Sequence, residues 1–320
     1  MDRRSFLKSI AAIGAAFAVK TVGATDVLTQ YSIADAAAGS QSGAVGGTPD
    51  LVAVMGGAPA EMFRKAIAEM GGISTFVKKG QKVVVKPNIG WDKTPALAGN
   101  TNPELVAEIV KQCLAAGAKE VVVFDNTCDE WQKCYKNSGI EDAVEKAGGR
   151  MMPGNNESYY VAINLPKGKT LKKAKVHKAI IDCDVWINVP ILKNHGGAKM
   201  TMAMKNLMGI VWDRRYFHNN GLQQCIADIC TLDKKPALNV LDAYRVLKDN
   251  GPQGRSAADV VNGKALFISR DIVAIDTAGN KFFNQIRPMS IDQVSHIANG
   301  QAHGLGTMNI DKLNVKRIKM

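Results

Sequence analysis

The 320-residue chain has no C-x-x-C spacing, no G-x-G-x-x-G and no Walker-type loop after any strand-like run. The first absence argues against zinc-ribbon, ferredoxin-type and thioredoxin-type chemistry, and the others against a standard dinucleotide or nucleotide site. Long hydrophobic runs are also missing. The uncharged apolar stretch from Ser9 to Val19 is about half of the ~20 residues that a membrane-spanning helix needs, and Lys20 and Asp26 close it. Aromatic residues make up only 6% of the chain, and no basic motif is interleaved with them as in nucleic-acid modules. No repeat of fixed period is found.

What stands at the start is an R-R-x-F-L-K string, Arg3-Arg4-Ser5-Phe6-Leu7-Lys8, directly before that apolar stretch. A basic n-region followed by a short h-region reads as a twin-arginine export signal. Small-residue cleavage sites follow at Val22-Gly23-Ala24 and Ala36-Ala37-Ala38. We therefore expect a signal peptide over residues 1–38, a Gly/Ser-rich linker over 39–49 and a folded domain over 50–320. The expected location is periplasmic or otherwise extracytoplasmic, with the Tat translocase as partner during export and no stable membrane span after processing.

The net charge is +12, of which residues 1–38 supply only +1, from four basic and three acidic residues. The remaining domain is thus strongly basic. An exported protein seldom meets nucleic acid, so an anionic small molecule is the favoured partner. Among the cysteines, Cys113 and Cys183 sit in apolar runs and read as core, while Cys128-x5-Cys134 and Cys225-x4-Cys230 are close pairs. In an oxidising compartment a disulfide between Cys128 and Cys134 is the plainest expectation.

From Leu51 onward, β-branched runs alternate with helical spacing. Strands are predicted at Leu51–Met55, Lys82–Lys86, Glu120–Phe124, Val185–Val189, Ala237–Leu241 and Ala265–Ser269. Helices are predicted at Pro59–Met70, from the Asn102-Pro103 cap to Leu114, and at Ile140–Ala147, Met200–Ile210, Leu222–Leu232 and Ile272–Phe283. Short Val/Ile-rich strands separated by helices imply an α/β fold: a mostly parallel sheet with helices on both faces. Tyr159 to Lys178 reads as a small β-hairpin insertion.

In such a sheet, ligands bind beyond the carboxyl ends of strands. Those positions are unusually polar: Lys86-Pro87-Asn88, Asp125-Asn126-Thr127, Lys193-Asn194-His195 and Asp242. The richest segment continues through Gly196-Gly197, Lys199 and Lys205-Asn206. Ammonium groups beside helix N–H groups suit phosphate or carboxylate, and a histidine suits proton transfer near neutral pH. The bland alternative treats these lysines as solvated charges and the Met200, Met202, Met204, Met208 series as core filler.

The strings V-V-V-K-P-N (83–88), N-T-N-P-E (100–104), G-A-K-E-V-V-V-F-D (117–125), C-D-V-W-I-N-V-P-I-L-K-N-H (183–195), K-N-L-M-G (205–209) and D-I-V-A-I-D (271–276) occur in this order. Together they resemble the domain of unknown function 362 family. The resemblance implies an α/β domain with no agreed reaction, and it brings His218, after the charged and aromatic loop 212–217, into the expected site. Some members carry ferredoxin-like iron-sulfur motifs, whose dense cysteine run this chain lacks. Twin-arginine export often carries a cofactor already inserted, so a metal or iron-sulfur cluster stays open.

Two functions of different class follow. One is an exported enzyme acting on an anionic small molecule, with His195, Lys193 and Lys205 as catalytic residues. Lys86, Asn88, Asp125, Asn194, Lys199, Asn206, His218 and Asp242 would then bind the ligand. The other is a non-catalytic ligand-binding or iron-sulfur/redox accessory protein.

Overall fold

The structure, a computed structural model, describes residues 47–320. The export-signal expectation over 1–38 and most of the 39–49 linker lie outside the described residues.

The chain begins with β1 (Leu51–Met55) and α1 (Pro59–Glu69), followed by β2 (Lys82–Pro87), α2 (Pro103–Ala115) and β3 (Glu120–Val123). The Asn102 cap of α2 is formed as its sequence implies, with the side chain accepting from Glu104 N at 2.9 Å. Next come α3 (Trp131–Asn137), α4 (Ile140–Lys146) and the two-residue strand β4 (Arg150–Met151). The hairpin is present as β5 (Tyr160–Asn164) and β6 (Lys173–His177), paired antiparallel as a separate two-stranded sheet.

After α5 (Lys178–Asp182) lie β7 (Val185–Val189), β8 (Ile191–His195) and β9 (Lys199–Thr201), then the single turn α6 (Ala203–Asn206). The chain is completed by α7 (Arg215–Asn219), α8 (Leu222–Ile229), β10 (Leu238–Leu247), β11 (Val260–Ser269), α9 (Ile272–Ile286), α10 (His296–Ala302) and β12 (Val315–Lys319).

The main sheet runs β12-β1-β11-β10-β7-β2-β3-β4, with β8 and β9 branching from β10. Pairings are parallel except those of β11 with β1 and β10, and of β8 with β9. The fold is therefore α/β with a mostly parallel, mixed sheet. Its strands alternate between two cores because successive side chains point to opposite faces. Val83 and Val85 of β2 pack with Phe63 of α1 and Ile109 of α2, whereas Val84 joins the opposite core with Met204, Ile226 of α8 and Phe283 of α9. Both faces are covered, and at ~25 cal/mol per Å² such two-sided burial is the main stabilising term.

The helix predicted over Met200–Ile210 is a correction. Lys199 has φ +67°, β9 runs through Thr201, and α6 spans only Ala203–Asn206 before a 3-10 turn at Leu207–Ile210. Asp276 of α9 decides where the helix starts: its carboxylate accepts from Ala203 N at 2.7 Å and from Met204 N at 3.0 Å. The Gly196-Gly197 turn accordingly joins two strands and does not open a helix.

A candidate anion-binding cleft

β2 and β7 pair with Lys86 opposite Asn188, so the carboxyl ends of neighbouring parallel strands meet where Lys86 sits. Lys86 is fully buried, and its Nζ forms an ion pair with Asp125 Oδ1 at 2.7 Å just past β3. The other carboxylate oxygen of Asp125 accepts from Ile89 N at 2.7 Å. Burial holds the Lys86 pKa below its usual value, and Asp125 opposes that shift. Removing the Asp125 carboxylate would leave this buried lysine without the counter-charge it pairs with.

A chain of carboxamides surrounds the pair. Asn206 Oδ1 accepts from Lys86 Nζ at 3.2 Å and Asn88 Nδ2 at 3.0 Å. Its Nδ2 donates to Lys86 O at 3.2 Å and to Asn188 Oδ1 at 2.8 Å, and Asn188 Nδ2 donates to Asn239 Oδ1 at 2.9 Å. Asn206 thus uses its full donor and acceptor capacity and cannot turn. Asn88 Oδ1 in turn accepts from Lys193 Nζ at 3.0 Å, and the same ammonium donates to Gly99 O at 2.6 Å.

Lys86, Asn88, Asp125, Lys193, His195, Lys205 and Asn206 line one cleft of about 50 Å³, together with Cys128, Thr201, Gly209 and Arg214. Cationic groups outnumber the single carboxylate. Burial, then the charge of Lys205, pushes the Lys193 pKa down to about 7. Lys205 is only half-buried, and the desolvation it does undergo brings its pKa to about 8. Among the described residues Lys205 Nζ makes no ion pair or hydrogen bond, and the buried Thr201 Oγ1 has no partner either.

His195 is held to about 2 by burial and then by Lys205 and Lys193. It is a neutral imidazole across the physiological range. Its Nδ1 accepts from Ala198 N at 3.1 Å, which leaves the ring proton on Nε2. Such a ring donates a hydrogen bond, while a lysine with a value near 7 can exchange a proton at neutral pH.

The structure does not bring the other expected residues into the cleft. Lys199 is exposed on the turn side of β9. Asn194, one residue out of phase with Lys193 and His195, accepts from Gly251 N at 3.2 Å through its side chain. Asp242 is buried, but it accepts from Asn102 N at 2.8 Å and Tyr244 N at 3.0 Å, so it braces the entry to α2 and does not face the lysines. His218 is exposed on α7, where burial and the charges of Lys205 and Arg214 hold its pKa below the usual value.

The expected Cys128–Cys134 disulfide is absent, and every cysteine is a free thiol. Cys134 is buried in the core under α3, whereas Cys128 lies on the exposed loop after β3 and lines the cleft. Sequence reasoning missed Arg214 and Gly209. Arg214 donates to Asn126 O at 2.7 Å, Thr127 O at 2.6 Å and Cys128 Sγ at 3.3 Å, so it fastens that loop to the cleft wall. Gly209 leaves room for the Lys86–Asp125 pair: a Cβ there would lie 1.9 Å from Asp125 Oδ1 and 2.5 Å from Lys86 Nζ. The K-N-L-M-G string carried that signal, though spacing alone could not say what the glycine faces.

Among the described residues no group of three or more His, Cys, Asp or Glu side chains could hold a metal ion. The cysteines are dispersed, and five of the six are buried. The residues present therefore do not fit an iron-sulfur cluster.

A thylakoid-associated protein of Synechocystis sp. is 26% identical over 229 residues, covering 67% of this chain and 66% of that protein. The lactate racemase apoprotein from Thermoanaerobacterium thermosaccharolyticum superposes with a TM-score of 0.47 and 16% identity, over 75% of this chain and 57% of that one. A protein from Thermotoga maritima gives a TM-score of 0.39 and 14% identity, over 57% and 50%. The chain spans less than two thirds of the length of each. The model of the domain of unknown function 362 (DUF362) matches residues 83–281, well over half of the sequence, and the chain belongs to that family.

Proposed function

We propose that the cleft binds the phosphate or carboxylate group of a small molecule and that the protein is an exported enzyme acting on it. The observation that carries this reading is Lys205. It is a cation without a hydrogen-bond or ion-pair partner, beside Lys193, Arg214 and the unpartnered Thr201 hydroxyl, where the one carboxylate is already held by Lys86. Lys205 is half-buried, so its ammonium keeps some water, but beside the fully buried Lys86 and Lys193 the cleft still carries more positive charge than one carboxylate balances, and a bound anion offsets that excess. In this reading Lys193 moves the proton, Lys205 holds the anion, and neutral His195 donates from Nε2 to the bound molecule.

Export through the twin-arginine pathway is supported by the Arg3-Arg4 string and its short apolar run. No helix among the described residues is long and apolar enough to cross a membrane. A relative named for its thylakoid association is compatible with an extracytoplasmic place of work.

Titration calorimetry with sulfate, whose charge is constant from pH 5 to 9, tests the site. Lys205→Met should weaken sulfate binding by about tenfold or more, given ~1.5–3 kcal/mol for a hydrogen bond to a charged group. Because Lys205 leaves no partner behind, the fold should persist. Unchanged sulfate affinity in a folded Lys205→Met variant would sink the reading.

A further inference from the structure

We infer that Cys128 is the nucleophile of this cleft and that the substrate is an anion bearing an aldehyde or keto carbonyl. This rests on the anion-binding reading above and adds a covalent step to it. Of the cysteines, only Cys128 is exposed. Its loop is fixed twice, by Cys128 N donating to Gly90 O at 2.8 Å and by Arg214 Nη1 donating to the sulfur at 3.3 Å.

The sulfur faces the polar side of the cleft. A Cβ built on Gly90 would lie 3.9 Å from Asn88 Oδ1 and 4.0 Å from Cys128 Sγ, so the thiol and the carboxamide that holds Lys193 look onto the same space. Two further observations point to a ligand there. The Thr201 hydroxyl is 2% exposed, lines the cleft and has no partner, and Lys205 is an unpartnered cation beside it. A ligand that satisfies both sets its anionic group against Lys205 in the cleft that Cys128 also lines.

The step balances without a redox partner. The sulfur of Cys128 forms an S–C bond to the carbonyl carbon as the C=O π pair moves to oxygen. The thiol proton passes to the neutral amine of Lys193, and the ammonium so formed returns a proton to the new alkoxide, giving a hemithioacetal or hemithioketal that keeps the substrate's anionic group. No leaving group is expelled and no oxidant is consumed.

The full chain, purified from its export compartment, is alkylated with iodoacetate and with iodoacetamide in parallel. A cation-lined cleft should favour the anionic reagent at Cys128 by about tenfold or more over a free thiol's preference. Lys205→Met should abolish that preference, and sulfate should protect. Glyoxylate labelled with ¹³C should then give a new adduct resonance that Cys128→Ser removes. The Ser variant should keep the native circular dichroism spectrum and melting temperature, so that loss of the adduct reports the missing sulfur.

If sulfate binds but iodoacetate has no preference for Cys128, the cysteine lies outside the anion site, and this inference fails alone. If glyoxylate displaces sulfate without an adduct resonance, the covalent step fails alone. Absence of sulfate binding in every variant overturns the anion-binding reading beneath both.

Discussion

Gly209→Ala tests the heart of the cleft, because its effect can be worked from distances. The glycine is needed for space. A methyl group at this position would sit 1.9 Å from Asp125 Oδ1 and 2.5 Å from Lys86 Nζ, and real Cβ contacts essentially never fall below 3.0 Å. Asp125 Oδ1 must therefore retreat from the methyl by about 1 Å and Lys86 Nζ by about half that, which disrupts the ion pair, because Asp125 is tied to Ile89 N and neither side chain has water to retreat into. Breaking a buried pair costs about 3–5 kcal/mol. For a domain of this size that corresponds to a fall in Tm of roughly 6–15 °C.

Thermal unfolding followed by circular dichroism measures it. A cycle with Asp125→Asn sharpens the test, since each single change disrupts the same pair and the double variant should lose far less than the sum. A Gly209→Ala protein melting within about 2 °C of the native chain, or strict additivity in the cycle, would refute the argument.

Sulfate affinity should be greatest below pH 7 and fall by at least about tenfold by pH 9, as Lys193 and then Lys205 lose their protons, with values near 7 and 8. A flat calorimetric profile over that range would contradict the assignment. The unliganded protein has the opposite sign. A lysine whose folded value is lowered binds fewer protons folded than unfolded, so stability should rise as pH climbs from about 7 towards the ordinary 10.5, measured by denaturant melts. Finally, replacing Arg3 and Arg4 by Lys should leave the protein in the cytoplasm, because a receptor reads the pair; fractionation that finds the variant exported removes the twin-arginine reading.

The alternation of Val83-Val84-Val85 and Val121-Val122-Val123 specified strands covered on both faces, and Asn102-Pro103 specified a helix start, because both depend on neighbours a few residues away. The polar strand ends at Lys86, Asp125 and Lys193 were legible for the same reason. Whether those ends share one cleft was not, since it depends on the order and register of strands more than a hundred residues apart. Nor could local pattern separate Lys193 from Lys199 or Asn194. The phase of β8 turns Lys193 and His195 one way and Asn194 the other, and a positive φ carries Lys199 to the surface.

The Met200–Ile210 helix failed on a long-range contact: Asp276, on another element, caps the turn at Ala203 and leaves the preceding residues to pair as β9. Cysteine spacing suggested a disulfide, but the tertiary structure directs Cys134 into the core and Cys128 into the cleft, held there by Arg214 from a loop 86 residues away. Sequence determined most of the element types, the basic charge and the chemical groups available. Only the packed sheet decided which of those groups face one another, because a side chain's partner is set by strand register and burial, and neither is encoded within a single local segment.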